Sequence, residues 1–337
     1  MFNQRLYKTA YHKIDLSNYK FLITGGAGFI GSNIVEYLLR NNAALVRVVD
    51  NLSNGYFANI KNFVNLKNFE FIEGDIRDFE LCKMAVKGIH FISHQAALGS
   101  VPRSILNPIA SNDVNVGGFL NMLVAAKDSP DLIKMVYAAS SSTYGDSPSL
   151  PKVEGNEGNP LSPYAITKLV NELYASNFSK IYGFHTIGLR YFNIFGPKQN
   201  PDNPYAAVIP IFCKHFINDT SPQINGDGLT SRDFTFVENA VQANILCLQS
   251  GILENLNSHE VFNVACGDQI SLNDMITILS GISGKSIKPI YGKERKGDVK
   301  HSKASIEKIN NFFSYSPRIR FKEGFEIVYD WYLNQSI

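Results

Sequence analysis

Short apolar runs alternate with helical patterns along residues 20–189 of the chain. The apolar runs are rich in β-branched residues and end in turn residues, whereas the segments between them repeat apolar side chains at helical spacing. This succession predicts βαβ units, and therefore a parallel sheet with helices on both faces. The predicted strands are 20–24, 44–49, 69–72, 88–93, 135–139 and 186–189, and the predicted helices are 29–40, 80–86, 113–127 and 161–182.

The pattern changes near Gly196, and an irregular stretch is predicted where Pro197, Pro201, Pro204 and Pro210 stand among asparagines and aspartates. Such composition is typical of an irregular binding loop. Helical segments follow at 237–250 and 272–279, and mixed short elements continue beyond them. We therefore predict an α/β fold: a doubly wound parallel sheet over 18–195, and a smaller C-terminal α/β substrate-binding domain over 196–337, of which 236–265 packs back on the first domain.

Composition excludes several classes of protein. Of the 337 residues, 45% are hydrophobic and 12% aromatic, so the chain can build a core and is not disordered. Its net charge of +2 lacks the basic excess of a nucleic-acid binder. Apolar stretches fall far short of the roughly 20 residues of a membrane span. We therefore expect neither nucleic acid nor membrane as a partner.

The cysteines form no CxxC pair. Cys82, Cys213, Cys247 and Cys266 lie in apolar surroundings, which predicts small buried side chains rather than a metal or redox site. Free cysteines are typical of a reducing compartment, and residues 1–20 contain no apolar core of a signal peptide. We expect a cytoplasmic protein.

A glycine-rich turn follows the first predicted strand and opens the first helix. Gly25, Gly28 and Gly31 permit a tight turn, close approach of the backbone to a ligand, and close packing of the helix on the sheet. The N-terminus of that helix offers free N–H groups to a pyrophosphate. The turn therefore predicts a dinucleotide site.

Two acidic residues at strand ends refine this prediction. Asp50 ends the second strand, where a carboxylate accepts hydrogen bonds from both ribose hydroxyls and repels a 2′-phosphate. NAD is therefore favoured over NADP, although Asp50 could also be a solvated turn residue. Asp75 and Ile76 follow the third strand, where they could meet adenine, or Asp75 could simply cap a helix.

Tyr164 and Lys168 stand four positions apart, on one face of a predicted helix. A phenol with a pKa of ~10 is a poor base at neutral pH, but a nearby ammonium and a positively charged nicotinamide would lower that pKa. Ser140 ends a buried strand at the sheet edge where doubly wound folds bind ligands, and it could share the reacting proton. We predict Ser140, Tyr164 and Lys168 as the catalytic residues.

These motifs resemble the extended short-chain dehydrogenase/reductase family over residues 18–335. Within that family, 94–104, 138–146 and 189–196 are similar to the UDP-N-acetylglucosamine 4-epimerases. The resemblance implies a Rossmann-type fold, tightly bound NAD, and reversible C4 epimerisation of UDP-N-acetylglucosamine to UDP-N-acetylgalactosamine for polysaccharide biosynthesis. The related 4,6-dehydratases carry an Asp-Glu pair after the catalytic Ser/Thr, where this chain has Ser141-Ser142, so dehydration is disfavoured.

The resemblance also implies binding residues. Those for the cofactor are Gly25, Gly28, Phe29, Ile30, Gly31, Asp50, Asn51, Ser53, Asn54, Gly55, Asp75, Ile76, Gln95, Ala96, Ala97, Asn115, Tyr164, Lys168 and Tyr191. Those for the UDP-sugar are Ser100, Arg103, Ser140, Ser141, Ser142, Tyr164, Asn193, Ala207, Val208, Asn225, Arg232, Arg295 and Ser302. Similar epimerases restricted to plain hexoses carry a Tyr at the position of Ser302, and a small residue there leaves room for a 2-acetamido group.

In the implied mechanism, Tyr164 takes the 4-hydroxyl proton while hydride leaves C4 for NAD, and hydride returns to the opposite face after the sugar turns. Arginines at 232 and 295 hold the diphosphate as the fixed anchor. The sequence leaves several alternatives open: the corresponding UDP-N-acetylhexosaminuronic acids as substrates, UDP-glucose as a side substrate, a net NAD-dependent oxidoreductase, and a non-catalytic NAD-binding protein. A homodimer through helices near 113–127 and 162–182 is also expected.

Overall fold

A seven-stranded parallel sheet lies at the centre of the computed structural model, which describes residues 3–200, 207–253, 258–294 and 300–335. Its strands, numbered along the chain, are β1 (Lys20–Thr24), β2 (Leu45–Asp50), β3 (Phe69–Glu73), β4 (Phe91–His94), β5 (Lys134–Ser140), β6 (Thr186–Tyr191) and β11 (Glu260–Val264). Their order in the sheet is β3-β2-β1-β4-β5-β6-β11. Because β1 pairs with both β2 and β4, the direction of winding reverses between β1 and β4.

Helices cover both faces of this sheet. They are α1 (Phe29–Arg40), α2 (Phe79–Val86), α3 (Val101–Leu106), α4 (Pro108–Asn112), α5 (Phe119–Lys127), α6 (Pro163–Tyr182), α7 (Val208–Ile217), α8 (Val237–Leu253), α9 (Leu272–Ser283), α10 (Glu307–Phe313) and α11 (Phe321–Leu333). The apolar side chains of α1 and α8 pack into one core, and those of α2 and α5 pack into a second. The predicted doubly wound architecture is confirmed.

Short strand pairs build the smaller lobe. They are β7 (Ile194–Phe195) with β10 (Thr235–Phe236), β8 (Gln223–Asn225) with β13 (Ile290–Gly292), and β9 (Ser231–Arg232) with β12 (Ile270–Ser271). Asp233 joins this lobe to the main sheet, because its buried carboxylate accepts backbone hydrogen bonds from Cys266 at 2.9 Å and Gly267 at 3.0 Å, just after β11.

The segment after Gly196 is more regular than the sequence predicts. Of its prolines, Pro201 and Pro204 lie outside the described residues, but Pro210 falls in the first turn of α7. A missing N–H is harmless there, because first-turn N–H groups have no intrahelical acceptor. The prediction of an irregular stretch through Pro210 was therefore wrong.

Local signals fix the ends of the helix that carries Tyr164. Ser162 caps α6 by accepting a hydrogen bond from the Ala165 N–H at 3.2 Å, and Pro163 is its first residue. Gly183, with φ of +64°, ends the helix in the left-handed conformation that glycine adopts without strain. The four cysteines are free and buried, as predicted.

Candidate active site

A cleft of about 420 Å³ lies where the strand order reverses, at the carboxyl ends of the sheet. Ligands of doubly wound folds bind at this place. The lining includes the following predicted residues: Gly25, Gly28, Phe29, Ile30, Gly31, Asp50, Asn51, Ser53, Asn54, Gly55, Asp75, Ile76, Gln95, Ala96, Ala97, Ser140, Tyr164, Lys168, Tyr191 and Asn193. The structure thus brings the candidate cofactor residues and the candidate catalytic residues into one space.

The glycine-rich turn fits a dinucleotide because its backbone is packed too closely for side chains. A Cβ on Gly25, whose φ is +67°, would lie 2.7 Å from the Ala96 nitrogen, and a Cβ on Gly31 would collide with the Gly25 carbonyl. Gly28 is the N-cap of α1, and no side chain caps this helix. The N–H groups of the first turn therefore remain for a pyrophosphate.

The acidic residues hold the loops around the cleft. Asp50 accepts backbone hydrogen bonds from Ala27 at 2.9 Å and from Leu52 at 2.8 Å, so it fixes the glycine-rich turn against the end of β2. Burial raises the pKa of Asp50, and these hydrogen bonds oppose the rise. Asp75 binds Arg77 and Asn51, and the hydrogen bond from Arg77 contributes most to lowering its pKa to about 2. Both carboxylates line the cleft, where ribose hydroxyls could find acceptors.

The candidate catalytic residues come from β5 and α6. The Tyr164 and Ser140 side chains are hydrogen-bonded, and the Ser140 hydroxyl also accepts from Ser142 Oγ at 2.9 Å. Lys168 is buried one turn beyond Tyr164, and its Nζ donates to the Ala138 carbonyl at 2.7 Å. The three residues thus line the same cleft near the end of β5.

The pKa of the tyrosine differs from the sequence expectation. Burial raises the pKa of Tyr164, and the hydrogen bond with Ser140 opposes the rise, so the protein groups alone do not produce the expected low value. Burial also lowers the pKa of Lys168 to about 8, although Glu172, one turn further along α6, raises it. The protonated form of Lys168 is therefore destabilised in this site. The Tyr164 hydroxyl needs another positive charge nearby to ionise at neutral pH.

A second cavity of about 380 Å³ adjoins the cleft, because Asn193 and Ile194 line both. It also contains four of the residues predicted to bind substrate: Ala207, Val208, Asn225 and Arg232. Phe212 and Phe234 contribute apolar surface to the same cavity. The side chain of Arg232 donates to the Ser231 carbonyl at 3.0 Å, so its guanidinium stays close to β9.

Other predicted residues lie outside the linings of these two spaces. Asn115 is buried and hydrogen-bonds the Leu98 backbone and Thr167, so it ties the loop after β4 to α6. The remaining ones are Ser100, which caps α3, Arg103 on α3, Ser141 and Ser142 in the turn after β5, and Ser302. Arg295 lies outside the described residues.

Asn244 is a residue that the sequence analysis missed. On α8, its Nδ2 donates to the Tyr191 hydroxyl at 2.7 Å, and its Oδ1 accepts from Gln95 at 3.2 Å and Ser93 at 3.0 Å. The Tyr191 hydroxyl in turn donates to Gln95 at 3.2 Å. This closed ring fixes two side chains of the cleft wall, and no local sequence signal marks Asn244 because it lies far along the chain from its partners.

A buried ion network was also missed. Arg190 on β6 donates twice to Glu172, at 2.9 and 2.7 Å, and also pairs with Glu157. Its guanidinium lies 4.8 Å from the centre of the Tyr144 ring. The network joins β6, α6 and the turn after β5, and it therefore supports the elements that carry Lys168 and Ser140.

The sequence is similar to known proteins over nearly its whole length. Residues 22–328 match the family model described as GDP-mannose 4,6 dehydratase. A protein named putative UDP-glucose 4-epimerase, from Methanocaldococcus jannaschii, is 37% identical over 94% of this chain and 99% of its own length.

Within the described residues, no helix has the length and apolarity needed to cross a membrane.

The fold is also similar to that of solved structures of UDP-sugar epimerases. One is described as UDP-N-acetylglucosamine 4-epimerase from Methanobrevibacter ruminantium in complex with UDP-N-acetylmuramic acid; it is 38% identical, with a TM-score of 0.87 over 94% of this chain and 99% of that one. Another is UDP-glucuronic acid 4-epimerase from Bacillus cereus with UDP-glucuronic acid and NAD, 31% identical, with a TM-score of 0.85 over 94% of this chain and 100% of that one.

Proposed function

The chain belongs to the GDP-mannose 4,6-dehydratase family, within the extended short-chain dehydrogenases/reductases, and is an NAD-dependent UDP-sugar 4-epimerase; on this premise we propose that it interconverts UDP-N-acetylglucosamine and UDP-N-acetylgalactosamine. The observation that carries the proposal is the grouping of Ser140, Tyr164 and Lys168 in a cleft that adjoins a second cavity. One space is suited to the cofactor and the other to the UDP-sugar.

The chemistry follows from the residues of the cleft. Bound NAD supplies a reversible hydride acceptor. Tyr164 holds the proton of the 4-hydroxyl, Ser140 shares it through their hydrogen bond, and Lys168 supplies positive charge from the same helix. Arg232 would bind the diphosphate in the second cavity, and this anchor would leave the sugar free to turn while the nucleotide stays bound.

The described residues of the cleft place no acid and base beside Ser140 for dehydration. Among the described residues lining the cleft, the acidic ones are Asp50, the last residue of β2, and Asp75, which follows β3; neither lies at the end of β5, where Ser140 is. Ser141 and Ser142 follow Ser140, and a hydroxyl is a poor acid or base at neutral pH. Epimerisation without loss of the 6-hydroxyl is therefore the reaction that fits.

Two observations favour the acetamido sugar. The relative from Methanobrevibacter ruminantium is described as a UDP-N-acetylglucosamine 4-epimerase, and it matches this chain over 94% of its length. Ser302 is small, and its N–H donates to the Ser231 carbonyl at 3.1 Å, beside the Arg232 that lines the second cavity. A small residue next to the sugar site leaves volume for a 2-acetamido group. The uronic acid forms remain the second candidate, because the relative from Bacillus cereus is bound to UDP-glucuronic acid.

The test uses purified protein without added NAD. UDP-N-acetylglucosamine is incubated with the protein and UDP-N-acetylgalactosamine is followed by anion-exchange chromatography, with UDP-glucose and UDP-glucuronic acid in parallel. We expect equilibration of the acetamido pair to be fastest, and Tyr164→Phe to lower kcat about 10²–10⁴-fold. Faster conversion of UDP-glucuronic acid contradicts the acetamido assignment, and net accumulation of NADH contradicts epimerisation.

A variant pair tests the role of Ser302. Ser302→Tyr should reduce turnover of UDP-N-acetylglucosamine relative to UDP-glucose by about tenfold or more, because the ring fills the volume of the acetamido group. Ser302→Ala keeps that volume and should retain the preference. An unchanged ratio in Ser302→Tyr would place the acetamido group elsewhere.

We also propose that the protein is a homodimer. Along α6 and the neighbouring helices α3 and α4, large apolar side chains lie at the surface: Ile105, Leu106, Ile109, Ile166 and Leu173. Exposed apolar side chains on neighbouring helices are typical of an interaction site. Because α6 contains both this surface and Tyr164, pairing of two copies there would stabilise the helix of the active site.

A further inference from the structure

A further cavity lies apart from the active site. Its volume is about 620 Å³, within the ~300–1,000 Å³ typical of small-molecule sites. It lies among the N-terminal segment, the loop after β2, the loop after β7 and the end of α11. None of its residues lines the cleft or the second cavity.

Two segments outside the family match contribute to the walls of this cavity. That match covers residues 22–328, whereas Asn3 and Arg5 precede it and 330–335 follow it. These two segments meet through an ion pair between Arg5 and Asp330. The cavity therefore includes residues from outside the matched range on both sides.

Aromatic rings and amide side chains dominate the walls. The rings of Tyr56, Phe63, Trp331 and Tyr332 provide flat apolar surface. Amides come from Asn3, Asn59, Asn62, Gln199, Asn200, Asn334 and Gln335. An amide offers a donor and an acceptor side by side, as vicinal hydroxyl groups require, and an aromatic face packs against the C–H face of a pyranose ring.

The charges in the cavity are largely compensated. Arg5 pairs with Asp330, and Lys198 pairs with Glu36 at 2.8 Å. The remaining cation, Lys61, is exposed to solvent. Because a phosphate site needs cations directed at the ligand, this lining favours a neutral ligand over a nucleotide or a phosphorylated sugar.

The side-chain amide of Gln199 has an oxygen without a hydrogen-bond partner among the described residues. The Oε1 atom of Gln199 is buried and has no hydrogen-bond partner within the described part of the chain. The backbone carbonyl of the same residue accepts from the Tyr332 hydroxyl, which fixes Gln199 against the wall of the cavity. The buried oxygen carries a desolvation cost, which would be relieved if the amide turned toward a hydroxyl donor in the cavity.

We propose that this cavity is a second ligand site that binds a neutral saccharide unit, remote from the catalytic cleft. The pyranose packs on Trp331, and the amides of Asn62 and Gln335 hydrogen-bond its hydroxyls. The saccharide is either free, as a glycan end, or the sugar part of a nucleotide sugar. The proposal does not depend on which UDP-sugar the active site converts.

The experiment uses Trp331 as its reporter, because it is the single tryptophan of the chain. Tryptophan emission of the full-length protein is titrated with glucose, N-acetylglucosamine, chitobiose, UDP-N-acetylglucosamine and UDP. We expect saturable changes with one or more of the three free saccharides. A saturable change with UDP-N-acetylglucosamine, without one for UDP or the free sugars, also supports the proposal and identifies the nucleotide sugar as the source.

Variants locate the binding. Asn62→Ala and Gln335→Ala each remove an exposed amide and keep the reporter, and each should weaken binding about fivefold or more. Epimerase turnover should be unchanged, which shows that the fold is intact. In saturation-transfer NMR, Trp331→Leu should abolish the saccharide signal, whereas Tyr182→Leu, an exposed aromatic at the end of α6, should retain it.

Three results would overturn the proposal. The first is no saturable response to any saccharide or to UDP-N-acetylglucosamine. The second is an equal response to UDP alone, which would indicate a nucleotide site. The third is a response that persists at wild-type affinity in both amide variants.

Discussion

The lysine of the active site is the residue at which burial and charge conflict most directly. Lys168 is almost fully buried, its Nζ donates to a single backbone carbonyl, and its pKa is lowered to about 8. Glu172 opposes this shift but is itself committed to two hydrogen bonds from Arg190. The folded state therefore holds the charged lysine at a cost in stability, and it does so at the position where the reaction requires positive charge.

This cost predicts a pH dependence of stability. Because the folded-state pKa of Lys168 is lower than that of an unfolded lysine near ~10.4, the folded state binds fewer protons above pH 8, and the lysine's contribution to stability rises with pH there. Between about pH 7.5 and 9.5 the unfolding free energy of the wild type should gain roughly 1–2 kcal/mol relative to Lys168→Met. Urea unfolding of both proteins at pH 7.5 and at pH 9.5 measures this difference in unfolding free energy.

Taking the difference between the two proteins removes the contributions of other groups, such as the buried cysteine thiols, whose pKa values are raised. Lys180→Met, on the exposed part of the same helix, controls for the loss of a lysine from α6. A difference between wild type and Lys168→Met that stays constant from pH 7.5 to 9.5 would contradict a lowered pKa of Lys168.

At the scale of elements, the sequence predicts best where the signal is local. The strand β1 and the helix α1 begin and end at the predicted residues, because the apolar run and the glycine-rich turn contain all the necessary information. Pro210 was misleading, because a proline is harmless only in the first turn of a helix, and the sequence did not show that α7 begins at Val208. Asn244 and the ion partners of Arg190 could not be predicted, because tertiary packing alone brings them to the site.

The close contact between α1 and the glycine-rich turn gives an element-scale prediction. In Gly31→Ala, the added methyl group would meet the Gly25 carbonyl and the Gly26 Cα, which are backbone atoms that cannot rotate away. We expect a loss of about 1–3 kcal/mol of unfolding free energy and a lower content of NAD in the purified protein. Urea unfolding and the NAD released on denaturation measure the two effects.

Gly281→Ala is the matched control, because Gly281 lies inside α9 and a Cβ there meets nothing within 4 Å. Alanine is a better helix former than glycine, so this variant should be unchanged or more stable by up to ~1 kcal/mol. Equal NAD content in Gly31→Ala and the wild type would show that the turn tolerates displacement of α1 and does not limit cofactor binding.

At the scale of the whole molecule, the N-terminal segment acts as a tie between helices of the first core. Tyr11 is buried, its ring stacks on Tyr37 of α1 at 5.5 Å, and its hydroxyl donates to Glu238 of α8. Tyr7 donates to Asn33 of α1 at 2.8 Å, and Asn33 also binds the Pro197 carbonyl. The segment, which shows no chemical motif in the sequence, thus connects α1, the helix that follows the glycine-rich turn, to α8.

The opposite side of the molecule gives the last prediction, which concerns the proposed dimer. Leu173 on α6 is 61% exposed and Ile109 on α4 is 73% exposed, and burying such side chains against a second copy is favourable. We expect light scattering to give twice the 37.5 kDa mass of one chain.

Leu173→Glu should shift the protein to monomer, because a two-fold interface would bury two new carboxylates, one from each copy, among apolar side chains. Met84→Glu, at an exposed apolar position on α2, should remain dimeric. A wild-type protein of single-chain mass at the same concentration would contradict the dimer, and these apolar residues would then need another partner.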